Sequence, residues 1–286
     1  MMEQRRAYPT DLSDAEWVVL GPLVPAPKGG GRPAEHPRRE ICNGIRYVLR
    51  SGCAWRLLPH DLPAWQTVYY YFRVWRRDGT WDRIHTHLRG AVRVEAGRDP
   101  QPSAGILDSQ SVKMTDQAGE RGYDAGKKVM GRKRHLLVDT LGLLLVVVVL
   151  AANIQDRDGA KMVLFQAKRR FPRLRLIWAD GGYRGKLVRW TKAACGWVLR
   201  IVKRSDDQRG FVVLPKRWIV ERTFGWLNKW RRLSKDYEVL PQTSEALIQV
   251  AMINQMVQRL ARPRRATHQA AQALPRPPSA TTSRAA

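Results

Sequence analysis

The chain has 286 residues, 44% of them hydrophobic, which is long enough and apolar enough for one large or two modest folded units. Fifty-one Lys and Arg against 25 Asp and Glu leave a formal charge of +26, the footprint of a protein that meets a polyanion, nucleic acid first among them. Charge alone leaves open a ribosome-like structural protein or a membrane-surface binder. Cys42, Cys53 and Cys195 are scattered without CxxC spacing, which argues against a disulfide framework or a zinc site and fits a reducing cytosol. The opening residues are polar and basic, unlike a secretory leader, and the one long apolar run, residues 141–152, is too short to span a bilayer, so a cytoplasmic location is expected.

The first stretch, residues 8–94, reads as helical. Ser13-Asp14-Ala15-Glu16 is a capping box, with Trp17, Leu20 and Leu23 following at helical spacing. A basic Pro/Gly-rich loop, residues 25–37, precedes a helix over 38–50 whose apolar face is Ile41, Ile45, Val48 and Leu49. Pro63 opens a third helix carrying Trp65, Val68, Tyr69, Phe72 and Trp75, and 81–94 makes a fourth. Short helices with basic residues between them are compatible with a helix-turn-helix DNA reader and with other small helical domains. Arg32, Arg38 and Arg39 of the loop, and Gln66, Thr67 and Arg73 of the third helix, are the candidate contacts.

Residues 95–104 read as a linker, after which the pattern changes. Strands are expected over 106–112, 135–138 and 143–151, a helix over 158–170, a strand over 174–179, a helix over 185–194, a strand over 197–203, and closing helices over 217–230 and 244–260. Three strands, helix, strand, helix, strand, helices is the order of an RNase H-like α/β domain, a mixed sheet flanked by helices. The expected organisation is a helical DNA-binding domain (1–94), the linker, a catalytic domain (105–261) and a basic, acid-free disordered tail (262–286).

Phosphodiester cleavage and transfer need an activated oxygen nucleophile and a stabilised leaving oxygen, which two Mg²⁺ ions held by carboxylates roughly 3.5–4 Å apart supply. Three acids stand in suitable settings. Asp108 follows the apolar run Ile106-Leu107, and Asp180 ends the strand Leu176-Ile177-Trp178-Ala179 before Gly181-Gly182-Tyr183. Glu221 lies inside the apolar helix Trp218-Ile219-Val220-Glu221-Arg222-Thr223-Phe224. An acid in that company is paired or functional, and Glu221 has Arg217 and Arg222 as possible partners. Asp139 reads as a turn residue, and Asp156 and Asp158 as a helix N-cap pair.

Five blocks in order, Asp108-Ser109-Gln110-Ser111-Val112-Lys113, Gly131-Arg132-Lys133-Arg134-His135, Ala152-Asn153-Ile154-Gln155-Asp156, Ala179-Asp180-Gly181-Gly182-Tyr183 and Arg217-Trp218 through Leu227, resemble those of DDE insertion-sequence transposases with a compact helical N-terminal domain. The resemblance spans residues 8–260. It implies cleavage and joining of DNA at the ends of an insertion sequence, and Asp108, Asp180 and Glu221 as ligands of two Mg²⁺ ions, with Mn²⁺ as a substitute. Spacings of 180 − 108 = 72 and 221 − 180 = 41 residues leave no room for a large insertion before the glutamate. Leu214 and Asn228 stand where relatives often carry Tyr and Lys, with Lys229 beside the latter, and Leu150 where they often carry His. Lys113, Arg121, Lys127, Lys128, Arg132 and Lys133 on or after the first catalytic strand, with Arg217, Arg222 and Lys229, complete the candidate DNA contacts. Double-stranded DNA (terminal repeats and target) is the implied partner, bound by a dimer or higher oligomer, with no membrane involved. An inactive DNA-binding relative and a nuclease of the same fold that does not join strands are the alternatives.

Overall fold

The computed structural model describes residues 5–27, 35–116, 119–202 and 216–262. Four helices come first: α1 (Asp14–Leu20), α2 (Arg38–Ser51), α3 (Trp65–Arg77) and α4 (Thr80–Glu95). The capping box forms, with Ser13 Oγ accepting from Glu16 N–H and Glu16 accepting from Ser13 N–H. Glu16 is held in turn by buried Arg46 of α2 at 2.7 Å. α2 ends at Gly52, whose φ of +79° favours glycine and whose Cα lies so close to Arg231 that a Cβ would sit 2.9 Å from the arginine's own Cβ. Trp55, Phe72, Trp75 and Trp81 interlock ring against ring, with Trp75 edge-on to Trp81 at 5.1 Å.

The sheet follows: β1 (Ala104–Lys113), β2 (Gly122–Asp124), β3 (Val129–Asp139), β4 (Leu144–Ala151), β5 (Leu176–Ala179) and β6 (Val198–Ile201). β3 lies between β1 and β4, antiparallel to both, and β5 then β6 extend the sheet parallel to β1. The crossovers from β4 to β5 and from β5 to β6 carry α5 (Asp156–Arg170) and α6 (Lys186–Cys195). α7 (Arg217–Leu227) and α8 (Pro241–Leu260) close the fold. This strand order and sense are those of an RNase H-like fold, as the order of elements along the chain predicts.

Alternation along the strands sorts side chains to two faces. Leu107, Leu137 and Ile177 pack with α5 and α6 in one core, whereas Ile106, Leu136 and Val138 pack beneath α7 and α8 in the other. The outer edge of β4 is covered by α8, and Glu245 there accepts Val149 N–H at 2.9 Å, so a strand of eight apolar residues is not left open for pairing. Residues 96–103 run between α4 and β1, and the apolar core continues from one side of them to the other. Residues of α1–α4 from Leu20 to Val92 belong to the same apolar cluster as Ile106, Val138, Leu144 and α8. Buried Arg93 of α4 pairs with Asp139 at the end of β3, which adds a charged tie across the junction.

Candidate functional site

Register brings the first two carboxylates side by side. Ala104 faces Leu176, Gly105 faces Ile177 and Ile106 faces Trp178 on the parallel strands, so the same offset of 72 sets Asp108 level with Asp180 just past the end of β5. Alternation then fixes their face. Asp108 follows Ile106, and Asp180 follows Trp178, both of which pack on the α7 side. Glu221 is presented by α7, whose buried face of Ile219, Val220, Thr223 and Phe224 holds it over β1 and β3.

The electrostatics centre on Arg217, one helical turn before Glu221. Its Nη2 lies 3.1 Å from Glu221 Oε1 and 3.9 Å from Asp180 Oδ2, so one guanidinium serves two of the three acids. Asp180 Oδ1 accepts Gly182 N–H at 2.8 Å, capping the short turn that begins after it. Asp108 Oδ1 accepts Ser109 N–H at 2.7 Å. Burial pushes the Asp108 carboxyl up to about 6, with the charge of Asp180 adding to it, against the Ser109 N–H, Arg217 and Lys127, which act the other way. Among the described residues no three His, Cys, Asp or Glu side chains stand close enough together to enclose one ion. Glu221 is drawn to Arg217.

Behind β1, on the α5 side, lies a polar cluster. Ser109 Oγ donates to Asp156 Oδ1 at 2.8 Å, and Ser111 Oγ to Asp124 Oδ2 at 2.6 Å. Lys133 Nζ stands 3.1 Å from Asp156 and 3.5 Å from Asp124, and also donates to Ile154 O. The sequence places Asp156 at a helix cap, but the N-cap of α5 is Gln155 and Asp156 reaches across to β1, an arrangement not foreseen from the sequence. The available signal was the alternation, which turns Ser109 and Ser111 to the face opposite Asp108.

The basic candidates divide. Two are corrected by the structure. Arg132 is fully buried, donating to the carbonyls of Glu120, Glu238 and Val239 and pairing with Asp236, so it braces β3 and offers nothing to a phosphate. Lys133 is likewise buried in the cluster just described. Both sit in β3, which begins at Val129 where the sequence reads as loop. Arg38 stacks on Tyr71 and donates to Pro25 O, and Arg39 pairs with Asp14. Gln66 and Arg73 fall on the exposed face of α3 with Tyr70 and Arg77, and Thr67 is partly covered. Lys113, Arg121, Lys127, Lys128 and Lys229 are exposed, and Arg222 lies between the Trp218 and Trp226 rings. Arg32, Leu214 and the tail after Arg262 lie outside the described residues.

The family model described as "Transposase DDE domain" matches residues 99–254, more than half of the chain, and a second, described as "Putative transposase of IS4/5 family", matches residues 12–85. Among curated proteins the chain is 32% identical over 108 residues to "Insertion element IS402 uncharacterized 16.2 kDa protein" of Burkholderia cepacia, covering 36% of this chain and 72% of that one. It is 30% identical over 115 residues to "Putative transposase for insertion sequence element IS402" of the same organism, covering 38% of this chain and 54% of that one. The solved structure titled "Crystal structure of the Mos1 mariner paired end complex with Mn" shares 11% identity at a TM-score of 0.30, covering 82% and 80% of the two chains, a slight likeness. No described helix is long and apolar enough to cross a membrane. The family match across β1 to α8, over a sheet of this topology, establishes that the chain belongs to the DDE transposases.

Proposed function

We propose that the DNA cleavage and strand transfer of this transposase are carried by Asp108, Asp180 and Glu221 acting with divalent metal ions, Mg²⁺ in the first place and two per site. The observation that carries the reading is the register: the β1–β5 offset sets Asp108 level with Asp180 just past the end of β5, on the face that Glu221's helix covers. The donor set suits a hard divalent cation. It is all carboxylate oxygen, and Asp108 is a buried acid with a second acid beside it, a charge pattern that a cation relieves. When bound, such ions activate an oxygen nucleophile and stabilise the leaving oxygen of the phosphodiester.

The chain's own residues do the rest. Asp108 is aimed by the Ser109 N–H in front and by the Ser109–Asp156–Lys133 cluster behind, so Asp156 and Lys133 are positioning residues. Arg217 balances Asp180 and Glu221 and is placed to meet a phosphate that displaces either. Exposed Lys127 and Lys128, in the turn between β2 and β3, bring positive charge toward the Asp108 side. The exposed stripe of α3, with Gln66, Tyr70, Arg73 and Arg77, is the surface offered to the terminal-repeat DNA of the element, in a dimer or larger assembly in the cytoplasm.

The test uses duplexes ending in the element's terminal repeat, pre-cut and uncut, with a target plasmid and Mg²⁺ or Mn²⁺. Asp108→Asn, Asp180→Asn and Glu221→Gln should each lose joining by about 10³-fold or more while binding the duplex with wild-type affinity. Near wild-type joining by any of the three removes that residue from the site. Nicking without joining by the unaltered chain, or binding alone, refutes the transfer reading.

A further inference from the structure

Farther along α7 from Glu221, a cavity of about 340 Å³ opens between α2, α7, α8 and the β3–β4 turn. Its wall carries Arg50, Arg222, Lys229, Arg259 and Arg262, and not one acid. Trp226 and Trp230 form the apolar sides, and the amides of Gln255 and Gln258 face the same space. Five cations gathered without a carboxylate repel one another, and the fold does little to quiet them. Arg222 is wedged between the Trp218 and Trp226 rings and gives one bond to Leu141 O, while its buried Nε has no partner. Its guanidinium is lowered from the usual range by burial first and then by the like charge of Arg259, with Asp139 acting the other way. Arg50 lies over Trp230 and donates to Lys229 O. Neither contact supplies negative charge.

We propose that this cavity is a second phosphate-binding site, which holds the backbone of the DNA that the chain handles. The planar donors of Arg50, Arg222, Arg259 and Arg262 suit phosphodiester oxygens, and the indoles exclude water around the contact. The inference stands on the chain handling DNA and not on the assignment of the three carboxylates.

The experiment measures binding of the full chain to a duplex in chelator, across a salt series, so that no cleavage enters the reading. Arg259 and Arg262 are exposed, which makes Arg259→Gln with Arg262→Gln compatible with folding, and an unchanged melting temperature checks this. Two lost phosphate contacts lower the slope of log affinity against log salt by about 1.8, so the affinity lost between about 50 and 200 mM salt shrinks by about tenfold. Arg98→Gln with Arg169→Gln, exposed and on other surfaces, removes the same charge and should leave the slope as it was. An equal slope change in both pairs, or none in the first, overturns the proposal. A glutamate oligomer provides the rival ligand: if the first pair loses its binding while the DNA slope stays put, the cavity takes acidic protein and the proposal fails. Inactive carboxylate variants leave all of these readings untouched, so failure of the catalytic assignment is seen separately.

Discussion

Asp108→Asn should make the protein more stable as it makes it inert. The Asp108 carboxyl is raised from 3.8 to about 6, a shift of 6 − 3.8, or about 2 units, and each unit corresponds to about 1.4 kcal/mol. An ionised Asp108 therefore costs the folded state at most about 3 kcal/mol at neutral pH, and local relaxation brings this to about 1.5–3 kcal/mol. The sign follows from proton binding. A raised acid stabilises the fold fully below the unfolded value, near 3.8, and that contribution is lost as pH rises through about 6. Asparagine keeps the oxygen that accepts Ser109 N–H and removes the charge. Melting followed by calorimetry in chelator should show the variant about 3–10 °C above the wild type at pH 8, and about half of that at pH 5. Mg²⁺ should then raise the wild type and leave the variant unmoved. A variant that melts at or below the wild type at pH 8 would refute the reasoning that burial of the charged carboxylate costs the fold.

Other expectations follow the same arguments. Glu245→Gln should gain about 1–2 kcal/mol above pH 8 and almost nothing at pH 4, below the ordinary carboxyl value of 4.5, read by urea denaturation at the two values. Burial holds that carboxyl up at about 7, and the amide oxygen still accepts Val149 N–H. Arg132→Met should cost about 3–5 kcal/mol of stability by leaving Asp236 buried without its cation, whereas Lys127→Gln with Lys128→Gln should keep the melting temperature and weaken DNA binding; the reverse pattern would return Arg132 to the DNA surface. Gly159→Ala places a Cβ 2.3 Å from the buried ring of His135 and should cost about 1–3 kcal/mol, measured by thermal unfolding.

Much of this was legible along the chain because it depends on local periodicity. The capping box at Ser13, the apolar face of α2 and the run 144–151 each announce their element, and the boundaries fall within a few residues. Asp108 and Asp180 were legible for the same reason, as acids set against apolar strands. Charge hid the rest. Arg132, Lys133 and Arg134 look like a solvated basic loop, yet all three are buried in β3, because their partners Asp236, Asp156 and the carbonyls of Leu233 and Glu238 arrive from far along the sequence. The cluster behind Ser109 was concealed likewise, since Asp156 meets it across 47 residues. The shared core of α1–α4 with α8 is a contact between the two ends of the described chain, and no window of neighbouring residues contains it.

That contact has a consequence for how the protein is made. α8 is the last described helix to leave the ribosome, and it packs against α1, α4 and β4 at once. Until residues 241–260 have emerged, the early helices and the outermost strand both lack the surface that shields them, and the edge of β4 lacks Glu245. Synthesis and folding are thus out of step: the first hundred residues wait, exposed and sticky, for the closing twenty. A message cut short before α8 yields a chain with Asp108, Asp180 and Glu221 present in sequence and no closed body to hold them. Such a product is destined for aggregation or proteolysis rather than for a stable competitor on the DNA.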